Sequence, residues 1–508
     1  MMTSKITKYD KATNDSYIMD EFDPQSEVIK YSYTSSRVVQ PNFNNYNKQG
    51  KPKVIGYYTD WSQYDGRLDG DQTLINRGRG VDLTLIDPCA FDKLIIGFAG
   101  CLGDLGEKKD AINAAAPQFG RTNNGQVTFL DPWGDCQSWR NCGFEGWADL
   151  PMPQSFNQGS SRGVLGGLRD LQKKALAQGH TLALSFSIGG WTMSYAFSDL
   201  VKDPTLRTAF CTSVVDILKR FPMFSEVDID WEYPGAVGNN NPYDPADGQN
   251  YVILMKELVQ KFQQNGLSHI KISIAASADP ETLMKASVLD LNTVCSPNGG
   301  LGINLMTYDF FGTPWADKLA HHTNLYAPEG IWSIDNAVNY LLKIGFPPQQ
   351  IMIGYAGYSR NAKGAVLTSV SPLAGNYDNS GASHTTGTFE SGSTEWYDIL
   401  NNYLDLENQT GKNGFKLLTD SEANADYLYN PQSQLLLSID TPRTVFAKGE
   451  YVINKGLGGL MTWTADQDSS GLLVNAAREG LGCSIKTQKI DMRPFYFYGE
   501  DHITNSSD

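Results

Sequence analysis

The segment Val227-Asp228-Ile229-Asp230-Trp231-Glu232-Tyr233-Pro234 places three carboxylic acids at alternate positions between apolar neighbours. On a β-strand successive side chains face opposite sides, so Asp228, Asp230 and Glu232 share one face while Ile229 and Trp231 take the other. Acids about 6.6 Å apart along a strand, enclosed in a low-dielectric cavity, raise one another's pKa. At least one is expected to keep its proton near neutral pH, which is the requirement for a general acid. Glu232, the outermost, is best placed to deliver that proton to a substrate arriving at the strand's C-terminal end. Three acids could instead hold Mg²⁺ or Ca²⁺ through oxygen ligands. Such sites draw carbonyls or acids from several segments and need no aromatic neighbours, so no metal and no cofactor is expected. Burying three carboxylates for structure alone would be costly.

An acidic strand of this kind needs a frame that aims its polar face at a cavity. From Lys53 onward, short β-branched runs alternate with helix-like stretches, the order of repeated βα units around a parallel sheet. Strands are expected at 53–59, 93–98, 181–187, 227–231, 270–275, 302–307, 351–354 and 458–462. Eight strands close a (β/α)8 TIM barrel, and in that fold the acids line the lumen and its mouth. Helical periodicity is clearest at 167–178, stopped by Gly179, and at 249–263. A further helix before the last strand is expected to turn Ala447, Tyr451 and Val452 inward. Two connections exceed the usual 2 to 6 residues of βα loops. The first, from Gly100 to about Ser160, carries Trp133, Trp139 and Trp147; the second, after strand seven, is long enough for an α+β insertion. The expected division is therefore a polar N-terminal extension, 1–50, suited to docking; the barrel, 51–360 and 439–483; the insertion, 361–438; and a C-terminal tail, 484–508.

A net charge of −15 argues against a nucleic-acid partner, which calls for a basic stripe. No stretch approaches the roughly 20 apolar residues of a membrane span, and the N-terminus shows no apolar core of a secretory signal. The seven cysteines form no C-x-x-C or Cys/His zinc spacing. Cys136 and Cys142 are near enough in sequence to bridge, but buried free thiols are the favoured expectation.

The acidic strand resembles glycoside hydrolase family 18, whose D-x-D-x-E motif is met by Asp228, Asp230 and Glu232. Phe186-Ser187-Ile188-Gly189-Gly190-Trp191 resembles the family's S-x-G-G segment at strand three. Met306-Thr307-Tyr308-Asp309-Phe310 resembles its M-x-Y-D segment at strand six, and Gly459-Leu460-Met461-Thr462-Trp463 its tryptophan-bearing eighth strand. These cover about 53–480 in the right order. Gly387-Thr388-Phe389-Glu390 and Gly449-Glu450-Tyr451 resemble landmarks of bacterial members with an insertion after strand seven. His321-His322-Thr323-Asn324-Leu325-Tyr326 is similar to stretches of chitinases associated with insecticidal toxin complexes. The chain departs from the family with Ser225-Glu226 where Asp-Gly is common, and with Tyr358-Ser359-Arg360 where Tyr-Gly-Arg is common; both bear on turns rather than on the proton donor.

The resemblance implies an endo-type chitinase, with chitin and chito-oligosaccharides as partners and an extracellular destination reached without a recognisable signal peptide. It implies retention by substrate assistance. Glu232 would protonate the leaving oxygen while the substrate's acetamido oxygen attacks the anomeric carbon. Asp230 would orient the acetamido group and share a proton with Asp228, and Tyr308 would bond the acetamido oxygen. Trp463 would floor the reacting subsite, and Met306 and Asp309 would shape its pocket. Trp61, Trp191 and Trp315 would line flanking subsites, with Tyr358, Arg360 and Glu390 as further substrate contacts. It also implies that toxin-complex subunits could dock on the N-terminal extension. A chitin-binding lectin of this family would characteristically lack the acid, which this chain retains.

Overall fold

The structure, a computed structural model, describes residues 4–8, 35–65, 78–328, 330, 332–381 and 392–502. Seven parallel strands follow one another: β1 (Lys53–Thr59), β2 (Lys93–Cys101), β3 (Ala183–Gly189), β4 (Phe224–Asp230), β5 (Lys271–Ser277), β6 (Leu301–Met306) and β7 (Ile351–Ala356). An antiparallel sheet comes next in the chain: β8 (Arg360–Ser369), β9 (Ala374–Asp378), β10 (Lys416–Asp420), β11 (Ala425–Asn430) and β12 (Leu435–Ile439). Strand β13 (Gly459–Trp463) then pairs parallel with both β7 and β1, and β1 pairs with β2, so eight strands close a barrel. The expected (β/α)8 barrel with an inserted sheet after its seventh strand is the observed architecture.

Alternation along the strands sorts the barrel's two faces. Val54, Tyr58, Leu94, Ile96, Phe186 and Ile229 join the main core under the surrounding helices. Ile55, Tyr57, Ile95, Met352 and Met461 form a separate cluster within the lumen. On β3 to β6 the lumen positions are polar instead: Ser187, Asp228, Ser273 and Asn304 are all buried. Register places Ser187 beside Asp228 and Asp228 beside Ser273. The acidic strand is thus bordered by hydroxyls on both sides, and its apolar residues turn outward as expected. Trp231 stacks on Phe197 at 5.4 Å and meets Tyr251 edge-on at 5.2 Å.

The helices needed to cover the strands follow their sequence signals. Helix α1 (Gly163–Ala177) ends before Gly179, whose φ of 76° suits a residue without Cβ. Helix α2 (Pro204–Arg220) starts on Asp203, which accepts from the backbone of Thr205 and Leu206. Helix α3 (Asp247–Gln264) presents Tyr251, Leu254, Leu258 and Phe262 to the core. Helix α4 (Pro442–Lys455) opens on a Thr441/Thr444 capping box; Tyr451 and Val452 are buried, whereas Ala447 is only half-buried.

Described stretches of the expected polar extension and tail pack onto the barrel. Val38, Val39, Phe43 and Tyr46 lie in the main core, and Asn45–Asn47 pairs antiparallel with Ser484–Thr487. Asn44 accepts from the backbone of Lys489 and Ile490 and donates to the carbonyl of Ile490. Residues 35–47 lack periodicity because they cap the core instead of forming a repeating layer of it. The inserted sheet has its own small core of Ala362, Ala365, Leu418, Tyr427, Tyr429 and Leu436, closed by Phe311 and Leu319 from the loop after β6. All seven cysteines are buried and free, Cys136 and Cys142 included.

Candidate active site

The three acids occupy one strand but three environments. Asp228 is deepest and accepts from Ser273 Oγ at 2.5 Å, Ser187 Oγ at 2.7 Å, Tyr57 OH at 2.9 Å and Asn304 Nδ2 at 3.1 Å. Burial still raises its pKa, against the pull of these donors. Asp230, next outward, has one buried oxygen without a hydrogen-bond partner among the described residues. Burial, then the charges of Glu232 and Asp228, push its pKa far above the carboxylate range. Glu232 lies just past the end of β4, before Pro234, which has no N–H for a ladder. Burial raises Glu232 to about 7, with Tyr233 opposing and Asp309 adding to the rise.

The backbone of Glu232 is pinned on both sides. Its N–H donates to Ser194 Oγ at 3.0 Å and its carbonyl accepts from Asn241 Nδ2 at 3.0 Å. Ser194 donates in turn to the carbonyl of Gly190 at 2.9 Å. The paired glycines of the β3 segment have a steric reason: a Cβ at Gly189 would lie 2.2 Å from the carbonyl oxygen of Asp230. The N–H of Gly190 also donates to that oxygen at 2.7 Å. The close approach of β3 to β4 therefore fixes the strand that carries the acids.

Facing them, Tyr308 follows β6 and is buried against Met461, its hydroxyl 3.8 Å from the sulfur. Burial first, then the charge of Asp230, with Asp309, Glu232 and Asp228 adding, keeps the phenol protonated. A Cβ at Gly354 would sit 2.8 Å from the Tyr308 ring, so this glycine makes its space. Met306, Tyr358 and Trp463 belong to the same lumen cluster. Trp463 stacks on Phe98 at 5.4 Å and leans on Tyr57 at 5.5 Å, while Trp61 flanks Phe98 at 6.5 Å.

A second cluster stands beside the acids. Asp309, in the left-handed region at φ 60°, accepts from Arg360 Nε at 2.7 Å, Arg360 Nη2 at 3.0 Å and Tyr358 OH at 2.7 Å. His322, fully buried, accepts from the N–H of Asp309 at 3.4 Å. Although burial acts to raise it, the Arg360 charge holds the Asp309 carboxyl well below its usual range. Burial lowers the His322 pKa, favouring the neutral ring that accepts this bond.

The structure thus gathers Asp228, Asp230, Glu232, Tyr308, Met306, Asp309, Tyr358, Arg360, Trp463 and Trp61 around one mouth. The Arg360 guanidinium covers the Trp315 ring at 5.1 Å, leaving Trp315 half-exposed at the margin. Trp191 is half-exposed after β3, and among the described residues no ring contact ties it to this cluster. Glu390 lies outside the described residues. Sequence reading did not single out Tyr57, Ser273, Asn304, Ser194 or His322 in these roles. A polar residue between apolar ones, as in Ile272-Ser273-Ile274 and Ile303-Asn304-Leu305, is the signal that marks two of them.

The family model of glycosyl hydrolases family 18 matches residues 53–468, and the chain belongs to that family. It is 43% identical to Chitinase 2 of Yersinia entomophaga over 537 aligned positions, 98% of this chain and 82% of that protein. Chitinase 1 of the same organism is 40% identical, covering 97% of this chain and 92% of the relative. Among solved structures, the chitinase Chi1 fitted into the Yersinia entomophaga toxin complex superposes with a TM-score of 0.86 at 40% identity, covering 96% of this chain and 95% of that one. The chitinase ChiA74 from Bacillus thuringiensis shares the fold, with a TM-score of 0.67 at 23% identity over 85% of this chain and 70% of its own. No helix among the described residues is long and apolar enough to cross a membrane.

Proposed function

We propose that the chain is an endo-type chitinase that cleaves β-1,4 linkages between N-acetylglucosamine units with retention, using the substrate's own acetamido group as nucleophile. The observation that carries this reading is the pairing of a proton donor with an unsatisfied acceptor: Glu232 is raised to about 7, and one buried oxygen of Asp230 has no partner among the described residues. A buried carboxyl without a partner is costly, and a substrate N–H would satisfy it. Glu232 gives its proton to the leaving glycosidic oxygen while the acetamido carbonyl oxygen closes on the anomeric carbon. Asp230 takes the acetamido N–H and passes its own proton inward to Asp228, so that its ionised form offsets the positive charge that develops on the closed ring. Asp228, already holding four donors, supports Asp230 from below. Tyr308 donates to the acetamido oxygen, and Trp463 carries the apolar face of the reacting sugar. Deprotonated Glu232 then activates the water that opens the intermediate.

Trp61, Trp191 and Trp315 serve flanking subsites, with Tyr358 and Arg360 at the edge and Glu390 as a further contact. The similarity to a chitinase fitted into a toxin complex supports an extracellular destination and a toxin-complex partner, for which residues 1–50 are the proposed docking segment. Co-elution of the chain with such subunits, lost on removing residues 1–34, tests the docking. The chemistry is tested by release of a fluorophore from N-acetylated chito-oligosaccharides. Wild-type turnover that falls by orders of magnitude in Glu232→Gln is the expected result, and no wild-type turnover would overturn the activity.

A further inference from the structure

The opposite end of the barrel, where the strands begin, holds a concave basin of about 470 Å³. Lys48, Lys51, Lys53, Lys271, His269, Thr181 and Ser225 line it, together with Asp92 and Glu226. The two acids do not balance the lysines. Asp92 accepts from Arg478 Nη1 at 2.7 Å and from the N–H of Val54 at 2.8 Å, while Glu226 is engaged by Lys93, two strands away on β2. Each acid is thus neutralised by a cation other than the four lysines of the lining. Lys48 donates to the carbonyl of Cys89. Lys51, Lys53 and Lys271 are exposed and make no ion pair with a described residue. A local excess of positive charge therefore collects on a chain whose net charge is −15.

Like charges held together repel: partial desolvation first, then the charge of Lys271, lowers the pKa of Lys53. A bound anion would relieve that repulsion and give Thr181, Ser225 and His269 an acceptor. The lysines are compact point charges on flexible stems, suited to a small, highly charged oxyanion. The basin is remote from the chemistry. Register sets Lys271 beside Glu226, six residues before Glu232, so the proton donor stands about 20 Å further along the acidic strand at ~3.3 Å per residue.

We propose that this basin is a binding site for a multivalent oxyanion of the pyrophosphate class, independent of the catalytic mouth. The test is calorimetric titration of the full chain with inorganic pyrophosphate at low ionic strength, beside Lys53→Ala/Lys271→Ala and Lys53→Arg/Lys271→Arg. One saturable site is expected, weakened about tenfold or more in the alanine pair and kept within about threefold in the arginine pair. Both pairs should keep wild-type turnover of chito-oligosaccharide, which shows that they are folded. Absence of binding, or binding equally strong in the alanine pair, would overturn the proposal. Poly-glutamate bound at this basin where pyrophosphate is not would also overturn it, by assigning the surface to an acidic protein segment.

Discussion

Two groups of acid share the mouth of the barrel and behave in opposite ways. At the end of β4, Asp230 and Glu232 are deprived of cations, and their carboxyls are pushed up, Glu232 to about 7. Beside them Asp309 is held by Arg360 and Tyr358, and its carboxyl is pulled down. The residue types alone do not separate a proton donor from a fixed anion; the partners do. The pair without a cation is poised to exchange protons with a substrate. The paired Asp309 keeps its charge and shapes the wall.

Glu232→Gln is the sharpest way to break that contrast. It should lower kcat on chito-oligosaccharides by about 10²- to 10⁴-fold, with KM little changed, in steady-state assays. It should also raise stability at neutral pH. Because the folded pKa of Glu232 lies above its ordinary value of 4.5, the native state holds more proton than the unfolded chain between those values. Wild-type stability therefore falls as pH rises from about 4.5 to about 7, and urea unfolding of the mutant should lack that part of the slope. Asp230→Asn comes next. An amide cannot offset the charge of the intermediate, and kcat should fall on the order of 10² to 10³-fold while the fold is kept.

Arg360→Ala acts on the other group. It removes the main cation of Asp309, and a loss of about 1 to 3 kcal/mol is expected in denaturant unfolding, moderated by the partial exposure of Asp309. The sign differs from that of Glu232. The depressed Asp309 pKa contributes stability above about pH 4 that is lost as pH falls through its folded value, and the variant should lose less on acidification. The smallest effect is expected of Trp463→Phe, which keeps a ring against Phe98. KM should rise by no more than about tenfold, and considerably more in Trp463→Ala.

The same contrast shows what the sequence makes legible. Period-two spacing exposes the acids of β4, and alternating βα units expose the barrel, because both are local patterns. The donors on Asp228 come from β1, β3, β5 and β6, and become visible as a set only when the strands close. The Asp309–Arg360 pair spans two elements, with the residue types named but the bond between them unforeseen. The N-terminal segment was harder still. Asn44 bonds to Ile490 across 446 positions, and nothing in its polar composition signals a buried bond to the far end of the chain.

The most direct test of the central claim is a ¹³C NMR titration of the Glu232 carboxyl in the free protein, with Glu232→Gln identifying its resonance. A midpoint close to 7, tracked by a fall in kcat/KM as pH rises through the same value, is the predicted result. A midpoint near the ordinary 4.5 would contradict the account, because Glu232 would then hold no proton to give at neutral pH.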